Sequence, residues 1–263
     1  MKLYTIFGDP VSHSRSPLMH NHVFRTLGID GCYTRTPLSD GNRLKEVFFA
    51  KGLSGANVTV PHKEAAYQQC DEVRGIAQTI KAVNTLINEN GRLIGYNTDA
   101  EGFMEAIREF GELRNALIIG AGGTARALSI VFRERGIVPT LLNRSEGRLE
   151  YFRDQGIASF TWNTFTPAPY DLIVNTTSAG LSDQELPLPK ELLDSLLSLA
   201  KGAVDVIYGK QTPFLQAVKG HNLPFKDGSD MLLEQGVLAN HLFIDKQADP
   251  ETIRTPMRES FRF

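Results

Sequence analysis

A lysine follows a short strand-like segment near residue 60, at a point where a helix should begin. In NVTVPHKE (57–64), polar and apolar residues alternate up to Val60 as in a half-buried strand, and Pro61 then favours a first helical turn. Lys63 would lie in that turn, where the helix dipole disfavours a cation by a few tenths of a kcal/mol. The lysine is therefore either tolerated at the surface or has a chemical task, such as proton donation to a reacting oxygen.

A glycine-rich turn follows the apolar run ALIIG (116–120). Its pattern is Gly120-x-Gly122-x-x-Ala125, placed between a predicted strand and a predicted helix. Gly120 permits the tight turn, Gly122 lets the backbone approach a pyrophosphate, and Ala125 allows close packing of helix on strand. The alternative is a helix that only packs tightly on a sheet, but the context favours a dinucleotide.

Basic residues follow the next predicted strand, TLLN (140–143). An NAD-specific fold would carry Asp or Glu near this point, whereas this chain has Asn143, Arg144 and Ser145, with Arg148 one turn later. Guanidinium groups suit a 2′-phosphate because their planar fork binds phosphate oxygens bidentately. The alternative is a pair of solvated arginines, and we favour the phosphate site.

Several polar residues of the first third of the chain have both a structural and a functional interpretation. Ser14 and Ser16 follow the first predicted strand, and Ser16 could be a helix N-cap or, with Ser14, part of a carboxylate site. Asp99 is a plausible cap or first-turn acid, and Asn84 begins a strand. Because strand-to-helix loops of parallel sheets meet at one edge, we expect Ser14, Ser16 and Lys63 to face one crevice.

Alternating strands and helices predict an α/β protein. Strands are expected at 3–8, 32–37, 55–60, 116–120, 140–143, 171–175 and 202–207, with helices over 17–27, 42–50, from 61, and from about 121 to 135. Asn90-Gly91 predicts a hairpin, and the helix after residue 98 should end at Gly111. The stretch 231–244 reads as an amphipathic helix, and the tail after Asp249 carries little signal.

Composition excludes several classes of protein. With 263 residues, 41% apolar content and a formal charge of −2, the chain can build a core and lacks a basic footprint for nucleic acid. The apolar run at the amino terminus is too short to span a membrane, and no His/Cys spacing indicates a metal site. Cys32 and Cys70 are expected to be reduced thiols in the cytoplasm.

The ordered motifs of the chain resemble the shikimate dehydrogenase family nearly end to end. They are GDPVSHSRSP, GANVTVPHK, AVNTL, NTDAEGF, GAGGTARA, NRS followed by Arg148, NTTSAG, DVIYGKQTPFL and DGSDMLLEQG. The resemblance implies an NADP-dependent enzyme that reduces 3-dehydroshikimate to shikimate in aromatic amino-acid biosynthesis. It implies two α/β domains: a substrate-binding catalytic domain (1–100 and 231–263) and a Rossmann NADP-binding domain (101–230), with the C-terminal helix returning to the first.

The resemblance also implies the site. Lys63 and Asp99 would be the catalytic pair, and Ser14 and Ser16 would hold the substrate carboxylate with Tyr208 nearby. The residues implied to bind ring hydroxyls are Thr59, Asn84 and Gln235. The residues implied to hold NADP are Gly120, Ala121, Gly122, Gly123, Thr124, Asn143, Arg144, Ser145 and Arg148, with Val206 and Gly228 close to the nicotinamide.

Some positions depart from the family pattern. Lys81 stands where glycine commonly precedes Ala-Val-Asn, Ser145 replaces the common threonine, and the loop after Tyr208 is short. These changes leave the implied catalytic set intact and bear on cofactor affinity.

Two alternatives remain beside this interpretation. A quinate or broader quinate/shikimate dehydrogenase would share the fold and the Lys63–Asp99 pair, although Ser14 and Ser16 with the arginines favour shikimate and NADP. A binding module that senses these ligands without turnover would instead predict a broken catalytic pair. Either a monomer or a homodimer is compatible with the sequence.

Overall fold

Two six-stranded sheets organise the chain in a computed structural model that describes residues 1–263. Residues Met1–Gly102 and Leu233–Phe263 form one unit, and Phe103–Leu232 form the other. The α/β fold class predicted from the sequence is confirmed. None of the helices is both long enough and apolar enough to cross a bilayer.

The sheet of the first unit is mixed, and its order is β2-β1-β3-β5-β6-β4. Its strands are β1 (Lys2–Gly8), β2 (Gly31–Pro37), β3 (Gly55–Val58), β4 (Glu72–Val73), β5 (Thr85–Glu89) and β6 (Arg92–Tyr96). Strands β2, β1 and β3 are parallel, and β5 runs antiparallel to both β3 and β6. The accompanying helices are α1 (Ser16–Thr26), α2 (Leu44–Ala50), α3 (Lys63–Gln69), α4 (Ala77–Ile80) and α5 (Asp99–Ala106).

The hairpin between β5 and β6 has the turn conformation that its local sequence predicts. Asn90 and Gly91 both have positive φ angles, 54° and 81°, as a two-residue type I′ turn requires. The predicted hairpin is therefore confirmed. The helix predicted to end at Gly111 ends earlier: α5 stops at Ala106, and a 3-10 turn (Arg108–Phe110) leads to Gly111, whose φ is 76°.

The second unit contains one fully parallel sheet of order β12-β11-β10-β7-β8-β9. Its strands are β7 (Asn115–Ile119), β8 (Val138–Asn143), β9 (Ala158–Thr161), β10 (Leu172–Asn175), β11 (Ala203–Asp205) and β12 (Phe225–Lys226). The helices are α6 (Gly123–Glu134), α7 (Glu150–Asp154), α8 (Lys190–Leu197) and α9 (Pro213–Gly220). The strand order reverses beside β7, which is the switch point where doubly wound sheets bind dinucleotides.

The chain returns to the first unit along α10 (Ser229–Phe243) and ends with α11 (Pro250–Glu259). Within that unit Tyr4 donates its hydroxyl to Phe243 O at 2.7 Å, which ties α10 to β1. A helix after Asp249 was not predicted, and that interpretation of the tail was wrong. Asp249 caps α11 by accepting from Thr252 N at 2.8 Å, with Pro250 in the first turn.

Candidate active site

The sheet of the first unit brings the ends of four strands to one edge. Strands β1 and β3 are parallel, and β6 runs in the same direction as β3 because β5 is antiparallel to both. The carboxyl ends of β1, β3 and β6 and the start of β5 therefore lie at the same edge. The segments that follow or precede them carry Ser14, Lys63, Asp99 and Asn84.

The turn between β1 and α1 presents two serine hydroxyls. Ser14 Oγ accepts from Ser16 N at 3.3 Å and donates to Ser16 Oγ at 3.2 Å. Arg15, not Ser16, is the N-cap residue of α1, and it makes no side-chain cap bond. The N-cap interpretation of Ser16 is therefore wrong: Ser16 is the first residue of the helix, and its own amide is satisfied by Ser14.

Lys63 is the first residue of α3, two residues later than the predicted start at Pro61. The strand ends at Val58, and a turn closes with a bond from His62 N to Thr59 O at 3.0 Å. The Lys63 side chain is half-buried, and its Nζ lies 2.6 Å from Asp99 Oδ2. A cation that the helix dipole disfavours is thus stabilised by a carboxylate from another element.

Asp99 begins α5, and its own side chain does not cap that helix. Asn97 Oδ1 accepts from Asp99 N at 3.1 Å and from Ala100 N at 3.3 Å, so Asn97 satisfies the first amides of α5. The Asp99 carboxylate, whose side chain is only 18% exposed, is thereby left to pair with Lys63. Sequence reasoning missed Asn97, although an Asn two residues before the acid is a cap signal.

Asn84 lies in a buried cluster of side-chain amides and hydroxyls. Its Nδ2 donates to Thr98 Oγ1 at 3.0 Å, and its Oδ1 accepts from Thr98 N at 2.7 Å. Thr98 was not predicted as a site residue, although it stands directly before Asp99. The amide of Asn84 is therefore held in one orientation, which is what selective hydrogen bonding to a hydroxylated ligand requires.

Gln235 of α10 packs against α5 at a point where the backbones of the two helices lie close together. A Cβ added to Gly102 would lie 2.5 Å from Gln235 N, so only glycine fits there. Since Gly102 is one turn after Asp99, this contact fixes α10 and its Gln235 relative to the acid. Thr59 follows β3 directly, and a Cβ at Gly8 would lie 2.4 Å from its methyl group.

The glycine-rich turn of the second unit has the geometry that its sequence predicts. Gly120 has a φ of 108°, and a Cβ there would lie 2.7 Å from Thr176 Oγ1. Gly122 is the N-cap of α6, and Cβ atoms at Gly122 or Gly123 would meet nothing within 4 Å. The space above the helix amino end is open for phosphate groups, while Ala125 is fully buried below.

A cavity of about 450 Å³ adjoins this turn. Its lining includes Gly120, Ala121, Gly122, Asn143, Arg144 and Arg148, with Trp162 on its wall. Asn143 Nδ2 donates to Ser145 O at 2.8 Å and so shapes the loop that carries Arg144. Gly123, Thr124 and Ser145 lie beside these residues in the chain but do not line the cavity.

Three more residues predicted for the site belong to the second unit but do not line this cavity: Val206, Tyr208 and Gly228. Gly228 permits close backbone approach, because its added Cβ would lie 2.1 Å from Val206 O. Gly228 N also donates to Ile207 O at 3.0 Å. Tyr208 is exposed in the loop that follows β11. Val206, Gly228 and Tyr208 therefore form a neighbourhood separate from the lining of the cavity.

The second unit's strand order and glycine turn place the chain in the class of Rossmann-type dinucleotide-binding proteins. Residues 6–86 match the family model described as the shikimate dehydrogenase substrate binding domain. The shikimate dehydrogenase (NADP(+)) of Helicobacter hepaticus is 44% identical over 260 residues, spanning 98% of this chain and 97% of that protein. The chain belongs to the shikimate dehydrogenase family, which confirms the resemblance seen in its motifs.

Solved structures agree with this assignment. A Thermus thermophilus shikimate 5-dehydrogenase in complex with NADP(H) and shikimate has a TM-score of 0.85 and 36% identity, covering 99% of this chain and 100% of its own. The Listeria monocytogenes enzyme in complex with shikimate and NAD has a TM-score of 0.84 and 28% identity, covering 97% of this chain and 96% of its own.

Proposed function

We propose that this protein is an NADP-dependent shikimate dehydrogenase, which reversibly reduces 3-dehydroshikimate to shikimate in the synthesis of chorismate and aromatic amino acids. The observation that carries the proposal is the pair formed by Lys63 Nζ and Asp99 Oδ2 at 2.6 Å, in a chain of this family. The first unit would bind the substrate, and the second would bind the cofactor. Because both cysteines are free thiols, we propose the cytoplasm as its compartment.

The reaction builds negative charge on a ketone oxygen, and the Lys63 ammonium group can stabilise that charge. In its protonated form the side chain has three N–H groups, one of which donates to Asp99. The others remain to hydrogen-bond the reacting oxygen and then to protonate it. Asp99 orients the lysine, and in the oxidative direction Lys63 would accept the hydroxyl proton.

The glycine turn and the arginine loop fit a dinucleotide with a 2′-phosphate. Bound NADPH would supply the hydride. The open space at Gly122 and Gly123 and the amino end of α6 would receive the pyrophosphate. Arg144 and Arg148 line the same cavity and would hold the 2′-phosphate, with Asn143 and Ser145 shaping their loop.

Ser14 and Ser16 would hold the substrate carboxylate, and the family resemblance also assigns Tyr208 to substrate binding. Thr59, Asn84 and Gln235 would bind the ring hydroxyls. The two serine hydroxyls are adjacent, and the amino end of α1 adds a favourable field for an anion. Asn84 suits a hydroxyl because its amide is held by Thr98.

The test is a comparison of shikimate and quinate, each with NADP and with NAD. We expect oxidation of shikimate with NADP to have the highest kcat/KM, and NADPH absorbance to fall when 3-dehydroshikimate is added. Faster turnover of quinate would contradict the substrate assignment, and no turnover of either acid would contradict the proposed activity.

Replacing Ser16 with alanine should weaken substrate binding without unfolding α1. A hydrogen bond to a charged group contributes about 1.5–3 kcal/mol, so KM for shikimate should rise roughly tenfold or more. Since Ser16 is not the N-cap, the thermal midpoint should fall little. Steady-state kinetics and a melting curve check both points, and a variant that is destabilised yet keeps its KM would contradict the carboxylate role.

Trp162 offers a direct readout of the cofactor cavity, because it is the only tryptophan of the chain and lies on the cavity wall. Reduced nicotinamide absorbs where tryptophan emits, so NADPH should lower Trp162 emission by energy transfer. A fluorescence titration gives the dissociation constant. Unchanged emission at a concentration of NADPH that saturates turnover would place the cofactor away from this cavity.

A further inference from the structure

The β1–α1 turn is held from the side by an arginine of the neighbouring edge strand. Arg35 of β2 donates to Ser14 O through Nε at 3.2 Å and through Nη2 at 2.6 Å. Strand β2 is the outermost strand of its sheet and pairs with β1, with Arg35 opposite Ile6. The guanidinium therefore extends past the carboxyl end of β1 to the turn that carries the two serines.

The two hydrogen bonds from Arg35 fix the backbone carbonyl of Ser14. Two N–H groups on one carbonyl oxygen hold the orientation of the planar peptide unit between Ser14 and Arg15. The same turn is closed internally by Ser14 N donating to Val11 O at 3.2 Å and by Ser16 N donating to Ser14 Oγ at 3.3 Å. The position of the Ser14 hydroxyl thus depends on a contact with another strand.

The charge of Arg35 has no partner of opposite sign. The exposed Arg43 of this unit forms an ion pair with Glu46 at 2.8 Å, whereas Arg35 pairs with no carboxylate. The nearby Arg15 points elsewhere: it donates to Ser260 O at 3.2 Å and lies over the Phe261 ring. Arg35 is therefore an uncompensated cation beside the two hydroxyls proposed to bind an anion.

We propose that Arg35 is a specificity-determining residue for the substrate carboxylate, which positions Ser14 through its carbonyl and adds positive potential at the carboxylate site. The inference rests on the function proposed above and deepens it. An exposed cation favours binding of a carboxylate over binding of its neutral ester. Salt weakens that preference, because exposed charges are screened over about 8–10 Å.

The experiment compares Arg35→Gln, Arg35→Lys and the control Arg25→Gln with the unaltered protein. Arg25 is an exposed arginine of the same unit whose side chain hydrogen-bonds His22, and its replacement makes the same change in net charge. We expect Arg35→Gln to raise KM for shikimate about three- to tenfold, with kcat and KM for NADP unchanged. Arg35→Lys should lie between, because it keeps the charge but loses the fork. Arg25→Gln should match the unaltered protein.

The methyl ester of shikimate, used as an inhibitor of shikimate oxidation, separates charge from loop structure. Its inhibition constant should change little in Arg35→Gln, and raising ionic strength should raise KM for shikimate more in the unaltered protein than in that variant. An equal loss of affinity for acid and ester, or an unchanged KM for the acid, overturns the inference and leaves the proposed function standing. An unaltered protein without shikimate turnover overturns both.

Discussion

Replacing Lys63 with alanine should reduce kcat by roughly 10²- to 10⁴-fold, the usual contribution of a positioned general acid. The lysine is half-buried at the start of α3, and its Nζ contacts Asp99 Oδ2 at 2.6 Å. In the proposed reaction, its removal would deprive the reacting oxygen of both a proton donor and a cation. Binding of NADPH should be largely unchanged, because the cavity lined by Arg144 and Arg148 belongs to the other unit.

The first unit offers a matched control for this variant. Lys45 forms an ion pair with Asp71 at 2.5 Å, and its side chain is 36% exposed, against 32% for Lys63. Lys45→Ala therefore removes a lysine–aspartate pair of the same kind away from the proposed site. We expect both variants to stay folded and only Lys63→Ala to lose turnover. Near-normal kcat in Lys63→Ala would refute the catalytic assignment.

Local signals in the sequence predicted those features whose backbone conformation allows few residue types. Asn90 and Gly91 both adopt positive φ, and Gly120 needs a φ of 108° in a place where a Cβ would collide with Thr176. Only glycine, with asparagine to a lesser degree, adopts such angles readily. The hairpin and the dinucleotide turn could therefore be read without knowledge of tertiary contacts.

Features that depend on tertiary partners were missed or misread. Ser16 was an acceptable N-cap by type, but it is the first residue of α1, and its amide donates to Ser14 Oγ. Helix α11 was missed because it contains Pro256, a residue that usually breaks helices, and because Asp249 was not recognised as its N-cap. Strand β9 and helix α8 lie between predicted strands, and helix α9 follows the last of them; none of the three was identified.

The pairing of Lys63 with Asp99 shows most directly what sequence patterns alone cannot predict. The two residues are 36 positions apart, and sequence patterns alone supported only a surface lysine and a first-turn acid. They meet because β5 lies between β3 and β6, and its antiparallel pairing with both brings the ends of β3 and β6 to one edge. The family resemblance suggested the pair, whereas periodicity could not have done so.

Cofactor choice is the property least determined by the fold, since one solved relative was in complex with NADP(H) and another with NAD. In this chain Arg144 lines the cavity, and no acid follows β8 in the chain until Glu146, which pairs with Arg153. A 2′-phosphate carries nearly two negative charges, and Arg144 with Arg148 can supply compensating charge and a bidentate fork. NADH lacks that phosphate, so the two cofactors test the arginines directly.

We expect Arg144→Ala to raise KM for NADPH roughly 10- to 100-fold and to change KM for NADH little, since a hydrogen bond between charged groups is worth more than a neutral one. Arg108→Ala, which removes an exposed arginine of the same unit outside the cavity, is the control for net charge. The measurement is kcat/KM for both cofactors in the three proteins at two salt concentrations. Higher salt should reduce the preference for NADPH in the unaltered protein, because exposed charges are screened over about 8–10 Å. Equal losses for NADPH and NADH would mean that Arg144 acts by stacking on adenine or by shaping its loop, and an unaltered protein that prefers NADH would overturn the assignment of NADP.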